Sequence, residues 1–286
     1  KSQIIEGIKD KDGVLCILSD KIDREIIESN PNLRIIANYG AGFDNIDLVA
    51  ARERHIMVTN TPLVSTISTA ELTFALILGL ARRIAEGDKL MRTGGFSGWS
   101  PMFHLGVELK GKKLGIIGMG NIGKQVARIA RGFQMEVLYH NRTRLSTFEE
   151  RELSLKYRNL DELLKESDIV SLHLSYNKSL HHYLGKDELS MMKKSAYLIN
   201  AARGPLVDEG ALLEALKKNK IAGAALDVFE FEPRITEGLE SLDNVLMTPH
   251  IGNATIEART AMAEVAAENI IDALEGNIPQ NLVRAV

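Results

Sequence analysis

The chain has a single cysteine, Cys16, among its 286 residues. A disulfide within the chain is therefore excluded. Cys16 sits in the apolar run Val14-Leu15-Cys16-Ile17-Leu18 and is expected to be a small buried apolar residue. Also missing is any apolar stretch long and charge-free enough to span a bilayer. Leu72 to Leu80 comes nearest, but Glu71, Arg82 and Arg83 bracket it. No secretory signal is visible, so the expected location is the cytoplasm, although the chain starts at Lys1 rather than Met. There is no basic run, and a net charge of −3 argues against a general nucleic-acid binder. Internal repeats and low-complexity segments are absent as well. Hydrophobic content of 45% and charged content of 26% fit an ordinary globular chain. Its length suits two domains, each with its own core.

Short apolar runs alternate with amphipathic stretches throughout. Strands are expected at Val14–Ser19, Arg34–Asn38, Ile56–Thr59, Leu114–Ile117, Glu136–Tyr139, Ile169–His173, Ala196–Asn200, Gly223–Val228 and Val245–Met247. Helices are expected between them, including Asp23–Ser29, Asp47–Arg54, Asn121–Gly132, Leu160–Ser167 and Asp208–Lys218. Near-continuous apolar strands alternating with helices predict α/β architecture, with parallel sheets covered on both faces. Two longer helices are expected, about Thr69–Arg92 and Thr255–Glu275, as the hinge of a discontinuous arrangement. Residues 70–253 would form one domain, and 1–69 with 254–286 the other. The first long helix is apolar beyond one stripe, which predicts a homodimer built on it.

The most informative segment is Gly118-Met119-Gly120-Asn121-Ile122-Gly123-Lys124. It lies between the strand Lys113–Ile117 and the helix that continues through Gln125-Val126-Ala127. Strand, G-x-G-x-x-G turn and helix together make a dinucleotide-binding site. Gly118 permits the tight turn, Gly120 lets backbone approach a pyrophosphate, and Gly123 lets helix and strand pack closely. The N-terminus of the helix, at Asn121 and Ile122, offers N–H groups and partial positive charge to phosphates. The same residues also match G-x-x-x-x-G-K, but a P-loop needs Ser or Thr next to hold magnesium, and Gln125 stands there.

An acid after the second strand of such a domain binds the ribose 2′-OH of NAD. Here that region reads His140-Asn141-Arg142-Thr143-Arg144, with Asn141 lying 18 residues beyond Gly123. Asn141 carries no charge to repel a 2′-phosphate. Arg142 and Arg144 could each bind one through charge-assisted hydrogen bonds of about 1.5–3 kcal/mol before screening. NADP(H) is therefore the expected cofactor, with NAD(H) as the alternative if these arginines only form a solvated loop.

Three further segments follow apolar strands: Asn200-Ala201-Ala202-Arg203-Gly204, Asp227-Val228-Phe229-Glu230-Phe231-Glu232-Pro233 and Thr248-Pro249-His250-Ile251-Gly252. Carboxyl ends of strands are where open α/β sheets bind ligands. With A-R-G, D-V-F-x-x-E-P and P-H-I-G in that order behind the glycine turn, the chain resembles the D-isomer-specific 2-hydroxyacid dehydrogenases over nearly its whole length. The pattern is closest to the glyoxylate/hydroxypyruvate reductases. The resemblance implies two Rossmann-like doubly wound domains, 70–253 binding the dinucleotide and the discontinuous domain binding substrate. It implies Arg203 as the substrate-binding arginine, Glu232 as the partner carboxylate and His250 as the general acid. Asp227 would contact the nicotinamide carboxamide, with Ala201, Ala202, Arg203, His250 and Gly252 also beside the cofactor. Ala41 and Gly42 would give backbone N–H groups to the substrate carboxylate.

Elementary chemistry supports these roles. Arginine offers a fixed fork of donors that suits a 2-oxoacid and never loses its charge. Hydride addition leaves an alkoxide, and a histidine can protonate it near neutrality. A carboxylate beside that histidine favours the imidazolium, so Glu232 is expected to keep His250 charged for reduction. The expected reaction is NAD(P)H-dependent reduction of a small 2-oxoacid to the D-2-hydroxyacid. Glyoxylate or hydroxypyruvate is favoured, with 2-ketogluconate reductase and D-lactate-type dehydrogenase as alternatives. A nucleotide-sensing corepressor on the same fold is the competing class.

Other polar residues draw plainer readings. His173, His181 and His182 lack a cysteine or acid at ligand spacing, so no metal site is expected. Ser167 and Asp168 are read as capping residues, and Glu149, Glu150 and Glu152 as a solvated helix face. In the family's glyoxylate/hydroxypyruvate reductases a tryptophan in this linker can approach the neighbouring subunit's site, so Trp99 has that reading beside simple loop packing. Three departures stand out. Relatives usually begin earlier, with a first strand whose absence leaves an exposed sheet edge. His173-Leu174-Ser175-Tyr176-Asn177 replaces the family's H-x-P-L-T. No C-terminal regulatory domain follows, which disfavours a regulated phosphoglycerate dehydrogenase.

Overall fold

Strands buried on both faces form the centre of the larger sheet, and side-chain caps open several of the helices around it. The structure is a computed structural model and describes residues 1–283. The chain forms two compact units, Thr66–Gly252 and Lys1–Ser65 with the segment from Asn253 onward. The last three residues of the 254–286 segment lie outside the described residues.

The first unit begins with α1 (Ser2–Ile8), β1 (Gly13–Ile17), α2 (Arg24–Glu28), β2 (Ile35–Tyr39), α3 (Leu48–Glu53) and β3 (Met57–Thr59). Asp23 and Asp47 accept hydrogen bonds from Ile26 N and Ala50 N, which caps α2 and α3. The strands form a parallel sheet in the order β1-β2-β3. β1 is an edge strand, and its Leu15 and Ile17 are 48% and 46% exposed. Cys16 on the same strand is buried, and burial, followed by the nearby Asp20 charge, pushes its thiol up to about 12.

The second unit contains α4 (Thr66–Ala81), α5 (Ile84–Arg92), β4 (Lys113–Ile117), α6 (Asn121–Gly132), β5 (Glu136–His140), α7 (Thr147–Glu152) and β6 (Leu155–Tyr157). It continues with α8 (Leu160–Glu166), β7 (Ile169–Leu172), α9 (Lys186–Met191), β8 (Tyr197–Asn200), α10 (Glu209–Lys217), β9 (Gly223–Leu226) and β10 (Val245–Met247). Capping boxes at Ser146/Glu149 and Asn159/Glu162 start α7 and α8. The seven strands are parallel in the order β10-β9-β8-β7-β4-β5-β6. The chain enters the sheet at β4, runs outward to β6, and returns to the other side of β4 at β7. That reversal makes the β4/β7 boundary a topological switch point, where a crevice opens at the carboxyl ends of the strands. α4 and α6 pack together on one face, while α8, α9 and α10 neighbour one another on the other. The chain then returns to the first unit as α11 (Ile256–Glu275), capped by Thr255 and closed by Gly276 at φ +88°, and packs on β1 and β2. Among the described residues no helix is long and apolar enough to cross a membrane.

The expected helix Thr69–Arg92 is two helices. Arg83 adopts φ +54°, ending the α4 ladder and starting α5 in a new direction. The loop after α5 returns to this break: Val107 N donates to Ala81 O at 2.9 Å, and His104 Nε2 lies 3.0 Å from Arg83 O, which also accepts the first bond of α5 from Gly87 N. α4 buries Phe74, Leu76 and Ile77 within its own unit and leaves Ile67, Glu71 and Ala75 exposed along one face. α1, α9 and β6 lie outside the expected elements. Each is short, and a stretch of three to seven residues carries little periodicity.

Candidate active site

The glycine turn occupies the switch point. Ile117, the last residue of β4, is in register with His140 of β5 and Leu172 of β7. Gly118 N donates to His140 O at 3.0 Å, and His173 N donates to Ile117 O at 2.8 Å. Gly118 adopts φ +99°, and a Cβ there would lie 2.7 Å from the His173 carbonyl. A Cβ on Gly123 would lie 2.3 Å from Gly118 O, so only glycine lets α6 start this close to the turn. Gly120 is the N-cap of α6, has no side-chain cap, and faces open space where its Cβ would be. The first N–H groups of α6, at Asn121, Ile122 and Gly123, have no intrahelical partner. A bare cradle of this kind fits a dinucleotide pyrophosphate. Lys124 Nζ, the lysine of the P-loop-like match, pairs instead with Glu149 Oε1 at 2.7 Å.

Beyond β5, Asn141 Oδ1 accepts from Met119 N at 3.4 Å and Asn141 Nδ2 donates to Thr143 O at 2.9 Å. Asn141 thus links the glycine turn to the β5 loop without bringing a charge. Arg142 and Thr143 are exposed. Arg144 is held: its Nε and Nη2 donate to the two oxygens of Glu150 at 2.7 and 2.9 Å, and its guanidinium lies 5.2 Å from the centre of the Tyr157 ring. Tyr139 Oη also donates to Glu150, at 2.6 Å. The expected solvated acidic face of α7 is corrected in part: Glu149 holds Lys124, Glu150, only 11% exposed in its side chain, holds Arg144, and Glu152 is exposed as expected. Lys124 lies 25 positions from Glu149 and Arg144 six from Glu150, each outside the helix whose periodicity suggested a solvated face.

The loops after β8, β9 and β10 carry Arg203, Glu232 and His250. Asn200 organises the first: Ala202 N donates to its Oδ1 and its Nδ2 donates to Arg203 O. Asp227 is buried and gathers the third loop. Its Oδ1 accepts from Thr248 Oγ1 at 2.6 Å and Ile251 N at 2.8 Å, its Oδ2 accepts from Gly252 N at 2.8 Å, and its carbonyl takes His250 N at 2.8 Å. His250 is held at φ +52°, a conformation uncommon for a residue with a side chain. Its Nδ1 lies 2.9 Å from Glu232 Oε2, with both side chains about one third exposed, and Glu232 Oε1 accepts from Phe229 N at 2.9 Å. Burial alone would push the Glu232 carboxyl up. The His250 hydrogen bond, the Phe229 N–H and the positive charges of His250 and Arg203 outweigh it and hold the carboxyl below its usual range. The arrangement is a polarised imidazole whose Nε2 edge can exchange a proton with a bound molecule, beside a permanent cation.

In the other unit, Ala41 and Gly42 follow β2. Asn60 Nδ2 donates to Ala41 O at 2.7 Å and Asn38 Nδ2 to Gly42 O at 2.6 Å. In a trans peptide the N–H points away from the carbonyl, so fixing Ala41 O also fixes the direction of Gly42 N–H.

The fold supplies what the sequence lacked around the remaining histidines. His181, His182 and Glu230 cluster, with His182 Nε2 2.7 Å from Glu230 Oε1. An acid does stand beside these histidines, 48 positions away from His182 in sequence. His173 is paired through Nε2 with Ser171 Oγ at 2.8 Å, and burial pushes it down to about 4. Ser167 Oγ donates to Leu163 O, and Asp168 holds Lys113 N and Lys193 Nζ. Trp99 is 81% exposed.

Residues 74–252 match the sequence profile of the NAD binding domain of D-isomer specific 2-hydroxyacid dehydrogenases. A protein of Staphylococcus haemolyticus that carries the 2-hydroxyacid dehydrogenase name is 53% identical over 283 residues, covering 99% of this chain and 89% of its own. A glyoxylate reductase from Paecilomyes thermophila superposes with a TM-score of 0.90 at 35% identity, over 99% of this chain and 88% of its own. A D-lactate dehydrogenase from Aquifex aeolicus, solved with NAD and lactic acid, superposes with a TM-score of 0.89 at 34% identity, over 99% and 89%. Glycine cradle, strand order and the loops bearing Arg203, Glu232 and His250 are thus joined by likeness over nearly the full length, and the chain belongs to the D-isomer specific 2-hydroxyacid dehydrogenase family.

Proposed function

We propose that the protein reduces a small 2-oxoacid, glyoxylate or hydroxypyruvate, to the D-2-hydroxyacid with NADPH. The His250–Glu232 pair at 2.9 Å carries this reading. The bound nicotinamide supplies the hydride. Arg203 binds and orients the oxoacid carboxylate, with the Ala41 and Gly42 N–H groups as further donors. His250 gives the proton that the developing alkoxide needs, and Glu232 keeps the imidazole charged and turned so that Nε2 faces the substrate. Asp227 fixes the His250 loop, which leaves its assignment to the nicotinamide carboxamide secondary to that work. Residues 70–253 form the dinucleotide domain in this reading. Residues 1–69 and 254–286 form the substrate domain.

On the cofactor side, Gly118, Gly120, Asn121, Ile122 and Gly123 hold the pyrophosphate, and Ala201, Ala202 and Gly252 line the nicotinamide half. Asn141, Arg142 and Thr143 receive the adenosine ribose. No acid closes β5, and Arg142 is exposed there, which supports a 2′-phosphate and hence NADP(H). Arg144, tied to Glu150, is assigned the lesser part. The Aquifex structure keeps NAD and D-lactate chemistry as the second reading.

A homodimer is proposed on different grounds from the helix composition. α5 and the loop behind it expose Ile84 (57%), Met91 (62%), Trp99 (81%) and Met102 (78%), an apolar surface of the kind a second copy would cover. Light scattering on eluted protein tests it, and a monomer at micromolar concentration refutes it.

The activity is tested by steady-state oxidation of NADPH and NADH against a panel of 2-oxoacids. His250→Ala should abolish turnover while leaving nucleotide binding intact. Equal, negligible turnover in wild type and His250→Ala, with NADPH still bound, would leave the corepressor-like class in its place.

A further inference from the structure

The loops bearing Arg203 and Glu232 leave different strands, β8 and β9, and one residue outside both loops is bonded to each of them. His182 N donates to Pro205 O at 2.8 Å, two residues beyond Arg203. Its imidazole Nε2 lies 2.7 Å from Glu230 Oε1, two residues before Glu232. His182 sits at φ +55°, where a side-chain-bearing residue is uncommon, so its surroundings fix its conformation. Glu230 is then held from behind by a nearly buried glutamate. Glu230 N donates to Glu209 Oε1 at 2.7 Å, Glu209 N donates to Glu230 Oε2 at 3.4 Å, and Thr236 Oγ1 donates to Glu209 Oε2. The two loops also touch main chain to main chain: a Cβ on Gly204 would lie 1.9 Å from the Phe229 carbonyl carbon.

A metal centre is the other use for a His-His-Glu cluster. The rings of His181 and His182 stack at 3.9 Å with 22° between their planes. Ligand lone pairs lie in the ring plane, so two stacked rings do not converge on one ion. Both Glu230 oxygens are also already engaged. The bonding pattern is that of a strut between loops.

We propose that His182 and Glu230, backed by Glu209, are positioning residues that hold the Arg203 loop and the Glu232–His250 pair in register for the reaction. The proposal rests on the function assigned above. Neither side chain is assigned contact with substrate or cofactor, so each acts through Arg203 and Glu232.

The test compares His182→Ala, His182→Gln and Glu230→Gln with wild type, measuring kcat, the KM for glyoxylate, the NADPH Kd by fluorescence, and Tm. His182→Ala should lower kcat/KM for glyoxylate by about tenfold or more through both parameters, with the NADPH Kd changed less than about twofold. Glutamine keeps a donor on a side chain of similar reach, so His182→Gln should recover most of the loss. Combined with Glu232→Gln, His182→Ala should add little to the loss from Glu232→Gln alone, because both act at the same point. Unchanged kcat and KM beside a lower Tm would overturn the proposal, as would fully additive losses in the double variant. If wild type reduces no 2-oxoacid, the assigned function fails and the strut is judged on the Glu232 carboxyl by NMR titration. It should rise from its depressed position towards the usual range in His182→Ala, and an unmoved carboxyl would overturn the strut.

Discussion

Replacing Glu232 by glutamine tests how the site controls its proton. Glu232 Oε2 is 2.9 Å from His250 Nδ1, and the side chains are 37% and 31% exposed. A partly exposed ion pair of this kind contributes about 1 kcal/mol or less. Its loss should move the alkaline limb of reduction to lower pH, and an interaction of this size keeps the movement modest. The sign follows from the chemistry: reduction needs the imidazolium, the carboxylate favours it, and removing the charge makes the rate fade at lower pH. Glutamine acts in the same direction for a second reason. Its oxygen can keep the bond that Glu232 Oε1 accepts from Phe229 N at 2.9 Å, which turns its NH₂ towards His250 Nδ1. A donor facing Nδ1 favours the neutral ring. For the same reason the hydroxyacid-oxidising direction should extend to lower pH. The assay is kcat/KM for glyoxylate from pH 5 to 9 at saturating NADPH, with the reverse reaction over the same span. An alkaline limb that stays where it is in wild type would refute the role of Glu232.

Gly123→Ala places a Cβ 2.3 Å from Gly118 O, so the turn must open; the NADPH Kd measured by fluorescence should rise by about tenfold or more, and an unaltered Kd would break the cradle assignment. Arg142→Ala should raise the KM for NADPH about tenfold or more while changing that for NADH little, and equal effects would refute a 2′-phosphate contact. Glu150 is held at about 2 by the Arg144 and Tyr139 hydrogen bonds, and Glu166 at about 2 by Arg158 and Lys113. A depressed carboxyl contributes stability that is fully present above its unfolded pKa and is lost as pH falls through the folded value. Thermal melts of wild type should therefore weaken between about pH 4.5 and pH 2, and Glu150→Gln should flatten that slope; a variant with the wild-type slope would contradict it.

The amino-acid sequence by itself determined the strands and the motifs at their ends. β4, β7 and β8 lie within a residue of their expected bounds, because strands buried on both faces read as near-continuous apolar runs. Gly118, Gly120 and Gly123 were legible because a strand–turn–helix junction is local in sequence. The order of the Arg203, Glu232 and His250 segments was equally legible. What lay beyond reach was which distant side chains meet. The break at Arg83 depends on Val107 and His104, whose hydrogen bonds come from a later loop. Arg144 reads as a free phosphate ligand until Tyr139 and Tyr157 are placed beside it and Glu150 is folded onto it. His182 reads as an isolated histidine until β9 delivers Glu230 within 2.7 Å. Periodicity encodes what a segment does against its nearest layer. Pairings between loops depend on strand order, which places residues far apart in sequence side by side at the carboxyl ends of one sheet, and only the tertiary structure decided those.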